Sequence, residues 1–217
     1  HKLLLLRAVP AEAQGKKPLY GIDVSCIFPF NEANRSILDA SLKLLDTKDA
    51  NLIPFLRFDP NDMDINQLDK IIPKFRAIKL HPRSQEFDPL DKKFARIFEL
   101  IEKSGKPILF HTRKENWPGS DPERICELCT TFPKLKIVLG HFANASNAAI
   151  EQVCCNPNIF LETSVMSSPK IIELVVRKAG ADKVLFGSDQ PYSDQEIELL
   201  KNKKANLSVT EKNKILG

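Results

Sequence analysis

The sequence predicts an α/β protein, a (β/α)8 TIM barrel in which residues 1–217 form a single domain. Short apolar runs rich in β-branched and aromatic residues alternate with segments whose apolar residues recur about every 3.6 positions. This alternation requires a parallel sheet, because each helix returns the chain to the same edge before the next strand begins. No stretch rich in glycine, serine and proline divides the chain. Seven strand-helix units would nearly complete an eight-stranded barrel.

The elements follow one another in a regular order. The predicted strands span residues 22–28, 52–58, 77–81, 108–111, 137–141, 159–163 and 184–188. The predicted helices span residues 37–45, 65–75, 94–101, 125–129, 148–154 and 171–179, with two more over 196–203 and from about residue 210. Residues that favour helix ends agree with these bounds: capping boxes of Ser120 with Glu123 and Ser208 with Glu211, Ser168 before Pro169, and the closing glycines Gly105 and Gly180.

The alternative to a barrel is an open, doubly wound parallel sheet. That fold usually binds a phosphate group at a glycine-rich loop between a strand and the next helix. No loop of the GxGxxG or GxxxxGK type follows any predicted strand in this sequence. The barrel is therefore the favoured architecture.

Composition and charge exclude several classes of protein. A hydrophobic content of 42% and a charged content of 28% are typical of a soluble chain that forms a core. The 32 Lys and Arg and 28 Asp and Glu are mixed along the chain, which argues against a nucleic-acid partner. No run approaches the roughly 18 apolar residues that span a membrane, and residues 1–15 contain too short an apolar part for a signal peptide. We expect no membrane association.

The five cysteines indicate a reducing, cytoplasmic environment. Their odd number and their clustering do not suit a disulfide framework. Cys126 and Cys129 form a Cys-x-x-Cys pair, but no second pair stands at zinc-ribbon spacing and the surrounding periodicity is helical. We interpret both as core cysteines.

Three of the four histidines, His81, His111 and His141, each end a predicted strand. In a parallel barrel the carboxyl ends of the strands meet at one mouth, and catalytic groups are drawn from them. A single histidine at a strand end is usually a hydrogen-bonded packing residue. Three at equivalent positions favour a functional site.

Side-chain alternation along each strand refines this placement. If His111 faces the barrel interior then so does Leu109, and the same rule pairs His141 with Leu139 and carries Asp189 to the mouth. Imidazoles and a carboxylate from separate strands are the donors that bind zinc or a similar divalent ion and leave a position for water. The pattern predicts a hydrolytic or lyase-type site, in which Asp189 could accept a proton from metal-bound water.

Each of the other candidate site residues could instead have a purely structural role. Asp189 could simply cap a turn. Lys79 could bind a substrate carboxylate, become a carbamylated ligand, or only line the barrel end. Arg57 could hold an anion or pair with Asp59. His81 could bind substrate or serve in packing.

Five motifs, in their order along the chain, resemble the amidohydrolase superfamily and, within it, the amidohydrolase-related family that includes aminocarboxymuconate-semialdehyde decarboxylase and γ-resorcylate decarboxylase. The motifs are IPFLRFDP, AIKLHP, PILFHT, KIVLGH and VLFGSDQP, and the resemblance extends over residues 20–215. It implies a (β/α)8 barrel with a metal ion held partly by His111 on the fifth strand and Asp189 on the eighth. It also implies that His141, on the sixth strand, lies near the substrate as an acid or base.

The resemblance also implies a first strand with an Asp-x-His-x-His motif that supplies two metal ligands. Nothing in residues 1–20 matches that motif, and no Asn-Ala helix follows Gly217. We therefore expect a barrel whose first strand and C-terminal helix are truncated. His1 is a further candidate metal ligand if it is the tail of the motif; it could equally be a tag remnant or the residue after a missing segment.

Three functions remain open at this point. The leading hypothesis is a metal-dependent hydrolase, with zinc as the expected ion, that acts on a small carbonyl, ester, lactone or amide substrate. The second is a nonoxidative decarboxylase of the same family, and the third is an inert barrel that binds a metabolite or partner. A homodimer is also expected. Under the first two hypotheses Arg57, Lys79 and His81 bind substrate, and His141 and Asp189 are catalytic.

Overall fold

The computed structural model describes residues 6–8, 22, 24–30, 36–114 and 117–217 of the chain. The strands within these ranges are β1 (Leu6–Ala8), β2 (Ser25–Phe28), β3 (Leu52–Pro54), β4 (Leu56–Arg57), β5 (Ile78–Leu80), β6 (Ile108–Phe110), β7 (Ile137–Leu139), β8 (Ile159–Glu162) and β9 (Val184–Leu185). The helices are α1 (Ile37–Leu44), α2 (Ile65–Ile71), α3 (Ala95–Ser104), α4 (Pro122–Cys126), α5 (Leu128–Thr131), α6 (Asn147–Cys155), α7 (Pro169–Ala179), α8 (Gln195–Lys204) and α9 (Val209–Leu216). No helix in the described ranges is long and apolar enough to cross a membrane.

The described strands pair in parallel and lie side by side in chain order. Strands β1 to β3 form one set of paired strands, a three-stranded sheet, and β4 to β9 form a second, six-stranded sheet. The chain passes from the first set to the second at Phe55, which donates to Ile27 of β2 (2.8 Å), and the next residue, Leu56 of β4, donates to Ala77 before β5 (2.9 Å). A doubly wound sheet would reverse its strand order partway across. The order seen here is that of the predicted barrel.

The observed strands are shorter than the predicted runs, and two further differences concern the number of strands. The run 52–58 bends at Phe55 and becomes β3 and β4, so that its first half pairs with β2 and its second half with β5. The segment Leu6–Ala8 pairs with β2 as a short strand that the sequence pattern did not predict. With β3 and β4 counted as one, the described residues occupy eight consecutive strand positions.

Most helices lie near their predicted bounds, and the capping box of α9 is confirmed. The predicted box of Ser120 and Glu123 is wrong. Asp121 is the N-cap of α4, and its carboxylate accepts the backbone N–H of Glu123 at 2.9 Å. The reason is Pro122, whose fixed φ suits the first helical position and makes the residue before it the cap.

Side chains alternate between the barrel interior and the layer beneath the helices. Leu109 and Val138 belong to an interior cluster, whereas Phe110 and Leu139 pack against the helices. The predicted inward orientation of Leu109 is therefore confirmed. The predicted inward orientation of Leu139 is wrong. Val138 is the residue of β7 that pairs with Leu109, so Val138 faces the interior and Leu139 faces the helices.

The cysteines of the Cys-x-x-Cys pair are free, buried and located on α4 and α5. Burial raises the pKa of the Cys126 thiol to about 12 and that of Cys129 to about 11. Protonated, buried thiols are poor metal ligands and poor nucleophiles. Their interpretation as core cysteines agrees with this environment.

Candidate active site

A cavity of about 230 Å³ opens at the carboxyl ends of the strands. Aromatic side chains and a serine form part of its wall: Phe28, Phe30, Tyr192 and Ser84. The rest of the wall consists of the site residues that the sequence predicted: Arg57, Lys79, His81, His111, His141 and Asp189. His1, the remaining predicted metal ligand, lies outside the described residues.

The three histidines form one contact cluster. The rings of His81 and His111 are stacked, with centroids 3.7 Å apart and an angle of 10° between their planes. His141 Nε2 lies 2.9 Å from His111 Nδ1, a hydrogen-bond distance. Burial lowers the pKa of His81 to about 2 and that of His141 to about 3, and it also lowers the pKa of His111. All three imidazoles are therefore neutral at pH 7, and each keeps one nitrogen lone pair.

His141 reaches the cavity through a turn of unusual conformation after β7. Residues 141–145 all have positive φ, between 51 and 56°. This left-handed region costs non-glycine residues roughly 1–2 kcal/mol each. Gly140 precedes the turn at a point where a Cβ would lie 2.7 Å from the carbonyl oxygen of Phe110. The turn brings His141 into the site although Leu139, two residues earlier, faces away from it.

Two residues that sequence reasoning missed contact His141. Glu162, at the end of β8, is 2% exposed, and its Oε2 accepts the Ser164 hydroxyl at 2.7 Å and the His141 backbone N–H at 3.2 Å. Ser164 Oγ lies 2.9 Å from His141 Nδ1. Burial raises the pKa of Glu162 to about 7. The sequence signal was a glutamate that closes an otherwise apolar strand.

The guanidinium of Arg57 is buried beside the cavity, with the residue only 3% exposed. It donates to the carbonyl of Pro29 at 2.9 Å and to the hydroxyl of Ser84 at 3.0 Å. The alternative of an ion pair with Asp59 is wrong, because the Asp59 carboxylate instead caps its own turn through Asn61. Within the described part of the chain Arg57 Nε has no hydrogen-bond partner. Burial lowers the pKa of Arg57 to about 10.

Lys79 is the second buried cation of the wall. It is 6% exposed, and its Nζ lies 5.2 Å from the centroid of the Phe28 ring. Burial, and after it the charge of Arg57, lower the pKa of Lys79 to about 8, while Asp189 and Glu162 oppose the shift. An ammonium group in this position destabilises the fold unless an anion accompanies it.

We expect Lys79→Met to raise the free energy of unfolding by roughly 3 kcal/mol at pH 7, because the folded protein no longer buries an ammonium group. The folded-state pKa of about 8 lies below the ordinary value of 10.5, so the penalty is complete below pH 8. It disappears as the pH rises towards 10.5, and the gain should shrink accordingly. Urea unfolding at pH 7, 9 and 10 measures this. The exposed Lys74→Met is the control, and an unchanged or lower stability for Lys79→Met contradicts the prediction.

The described residues supply only some of the side chains that a metal ion needs as ligands. His111 and Asp189 line the same cavity, and a neutral imidazole and a carboxylate suit zinc or manganese. Burial raises the pKa of Asp189 to about 6. No three His, Cys, Asp or Glu side chains within the described ranges are grouped so that they could hold a metal ion. The described residues therefore do not by themselves form a complete metal site.

Fold and site together define a TIM-barrel protein with a histidine- and aspartate-lined mouth. The sequence profile of the amidohydrolase family matches residues 28–217. The chain belongs to the amidohydrolase family, which confirms the resemblance of its five motifs. A search of curated protein sequences finds no significant match.

Solved structures share the fold at low sequence identity. 5-Carboxyvanillate decarboxylase LigW from Sphingomonas paucimobilis has a TM-score of 0.72 and 16% identity, over 91% of this chain and 77% of that one. A dihydroxybenzoic acid decarboxylase from a Polaromonas species, with bound manganese and the inhibitor 2-nitroresorcinol, has a TM-score of 0.70 and 15% identity, over 90% and 79%. An uncharacterised TIM-barrel protein from Bordetella bronchiseptica has a TM-score of 0.75 and 18% identity, over 90% and 75%. These similarities establish the barrel.

Proposed function

We propose that the protein is a metal-dependent nonoxidative decarboxylase of a small carboxylated substrate. The observation that carries this proposal is the pair of buried basic side chains, Arg57 and Lys79, that share one cavity with three histidines. Neither cation forms an ion pair with a carboxylate among the described residues. A substrate carboxylate would supply the missing negative charge. Two of the similar structures are decarboxylases of aromatic acids, which supports the same reading.

The wall of the cavity favours an aromatic acid. Phe28, Phe30 and Tyr192 supply apolar surface, and the rings of Phe30 and Tyr192 meet edge to face with centroids 5.2 Å apart. Small-molecule sites usually combine such apolar walls with a few polar groups that fix orientation. The two cations would orient the carboxylate, and the aromatic side chains would pack on a ring.

The chemistry needs a proton donor beside the substrate carbon. When the bond to the carboxylate breaks, CO2 leaves and the electron pair stays on that carbon. A proton from the protein then forms the new C–H bond, and water restores the proton to the protein. Asp189 is one candidate for this role, because its carboxyl group lines the same cavity as Arg57 and Lys79, which would hold the substrate. His141 is the second candidate, as an acid or base in contact with His111.

The proposal includes a divalent metal ion, with His111 and Asp189 as two of its ligands. Manganese is the ion in the Polaromonas decarboxylase, and zinc is the ion that the sequence predicts. A bound cation would stabilise negative charge that develops on the substrate. Elemental analysis of the purified protein, together with its activity after chelation and reloading with each ion, tests this part of the proposal.

The deciding experiment is product analysis with carboxylated phenols, such as 5-carboxyvanillate and 2,6-dihydroxybenzoate, in parallel with ester, lactone and amide substrates. We expect CO2 release without net addition of water. Hydrolysis of an ester, lactone or amide with no CO2 release would instead support a metal-dependent hydrolase, the second candidate, which the family membership favours. No turnover in either set, with no metal bound, would favour an inert binding barrel. The homodimer and the cytoplasmic location remain predictions; light scattering checks the first.

We expect Arg57→Met to raise KM for the carboxylated substrate by about 10–100-fold, because a charge-assisted hydrogen bond contributes about 1.5–3 kcal/mol. The effect on kcat should be smaller, since the guanidinium binds the carboxylate before as well as during the reaction. Steady-state kinetics measure both constants. Arg76→Met, at an exposed arginine just before β5, is the matched control. An unchanged KM would remove Arg57 from the substrate site.

A further inference from the structure

A chain of hydrogen bonds runs from Glu162 through Ser164 and His141 to His111. Ser164 Oγ lies 2.7 Å from Glu162 Oε2 and 2.9 Å from His141 Nδ1. His141 Nε2 lies 2.9 Å from His111 Nδ1. We propose that Glu162, acting through Ser164, is a positioning residue that fixes His141 as the Nδ1–H tautomer. Through its hydrogen bond with His141, His111 is then also fixed as the Nδ1–H tautomer.

Glu162 determines which group donates in each of these hydrogen bonds. Both of its carboxylate oxygens accept backbone hydrogen bonds, Oε1 from Ser164 N and Oε2 from His141 N. These two backbone donors, together with the Ser164 hydroxyl, favour the ionised carboxylate, so both oxygens act as acceptors. The Ser164 hydroxyl has a single proton and donates it to Glu162 Oε2. Ser164 Oγ must therefore accept from His141, which places a proton on His141 Nδ1.

The proton on His141 Nδ1 decides which nitrogen donates in the hydrogen bond between His141 and His111. A hydrogen bond between two imidazole nitrogens requires a proton on one of them and a lone pair on the other. A proton on His141 Nε2 in addition to Nδ1 would make an imidazolium, a third cation in a cavity that already contains Arg57 and Lys79. His141 Nε2 is therefore the acceptor and His111 Nδ1 the donor. The lone pair of His111 is then on Nε2, the nitrogen that His141 does not use.

The surrounding backbone holds Glu162 in this place. A Cβ on Gly187 would lie 1.8 Å from Glu162 Oε1, so the chain after β9 leaves room for the carboxylate only because residue 187 is glycine. Glu162 also accepts the backbone N–H of His141, the first residue of the left-handed turn. The same carboxylate thus fixes both the backbone position and the ring protonation of His141. The inference concerns the imidazoles themselves and holds for a decarboxylase or a hydrolase.

Nitrogen-15 NMR of the labelled full chain, as purified, tests the proposal through the shifts and couplings of the ring nitrogens. We expect wild-type His141 to carry its proton on Nδ1. In Glu162→Gln the remaining oxygen should keep the Oε1 position, because the backbone hydrogen bond from Ser164 N to Oε1 (2.5 Å) is shorter than that from His141 N to Oε2 (3.2 Å). The NH2 group then takes the position of Oε2 and donates to Ser164 Oγ, so Ser164 donates to His141 Nδ1. His141 should therefore change to the Nε2–H tautomer, and His111 should follow.

Activity provides a second readout. Glu162→Gln should lower kcat by about 10²–10⁴-fold with a KM change of less than about 3-fold, because geometry is kept and the wrong tautomer is present. The matched control is Glu173→Gln, at another buried glutamate that accepts a backbone N–H, from Asn206 at 2.8 Å, away from the cavity. It should change neither the tautomers nor kcat.

Two results would overturn the proposal. One is a wild-type His141 with its proton on Nε2, a measurement that needs no variant and stands even if Glu162→Gln does not fold. The other is a folded Glu162→Gln protein whose His141 tautomer equals that of the wild type. Ser164→Ala adds an independent check, because loss of the hydroxyl should give a mixture of both tautomers at His141.

Discussion

Lys201→Met is expected to lower the free energy of unfolding by about 3–5 kcal/mol, a large fraction of the stability of a typical domain. Lys201, on α8, is 7% exposed, pairs with the buried carboxylate of Glu198 and donates to the carbonyl of Thr163 at 2.5 Å. Without the ammonium group, Glu198 becomes a buried charge with no cation beside it in the described structure. Urea unfolding followed by circular dichroism measures the loss.

Matched variants separate the buried pair from a general effect of charge. Lys203→Met removes an exposed lysine from the same helix and should change stability by less than about 0.5 kcal/mol. Adding Glu198→Gln to Lys201→Met should recover part of the loss, because a neutral amide oxygen can still accept the backbone N–H of Val165. Equal stability of Lys201→Met and wild type would show that the pair does not anchor α8 to the segment after β8.

His141→Asn should lower kcat for CO2 release by about 10²–10⁴-fold, the usual contribution of a general acid or base. Asparagine is the informative replacement because it tolerates positive φ better than most residues, and His141 has a φ of 52°. Folding should therefore be preserved while the imidazole is lost. Steady-state kinetics with circular dichroism of the same samples measure both properties.

Asn144→Gly is the control for this experiment, since it changes an exposed residue of the same left-handed turn and leaves the imidazole in place. It should keep kcat within about 2-fold of the wild type. A His141→Asn protein that releases CO2 at the wild-type rate would contradict any role of His141 in proton transfer. Asp189 would then be the remaining proton donor among the predicted residues.

The spacing of His81, His111 and Asp189 allowed their shared position to be predicted, because parallel strands place their carboxyl ends together. Period-2 alternation also predicted the inward orientation of Leu109. The same rule failed for Leu139, because register is a property of the paired sheet and a shift by one residue exchanges the two faces. His141 still reaches the cavity because the turn after β7 is left-handed, and a single asparagine, Asn144, does not predict this conformation for five consecutive residues.

Interactions between distant segments were beyond sequence reasoning. Glu162 and Ser164 contact His141 from a different strand, and only the packing of β7 beside β8 brings them within hydrogen-bond distance. Arg57 could have paired with Asp59 or held an anion, and the choice depends on Pro29 and Ser84, which lie far from it along the chain.

The sequence by itself determined the parallel barrel, the family and the residues that gather at its mouth, because periodicity and strand-end position are local properties of the chain. The tertiary structure alone decided which nitrogen of each histidine carries the proton, where α8 is anchored and which cations remain without a carboxylate. These depend on distances of a few ångströms between groups that the sequence separates by 20 residues or more, and local patterns contain no information about such distances.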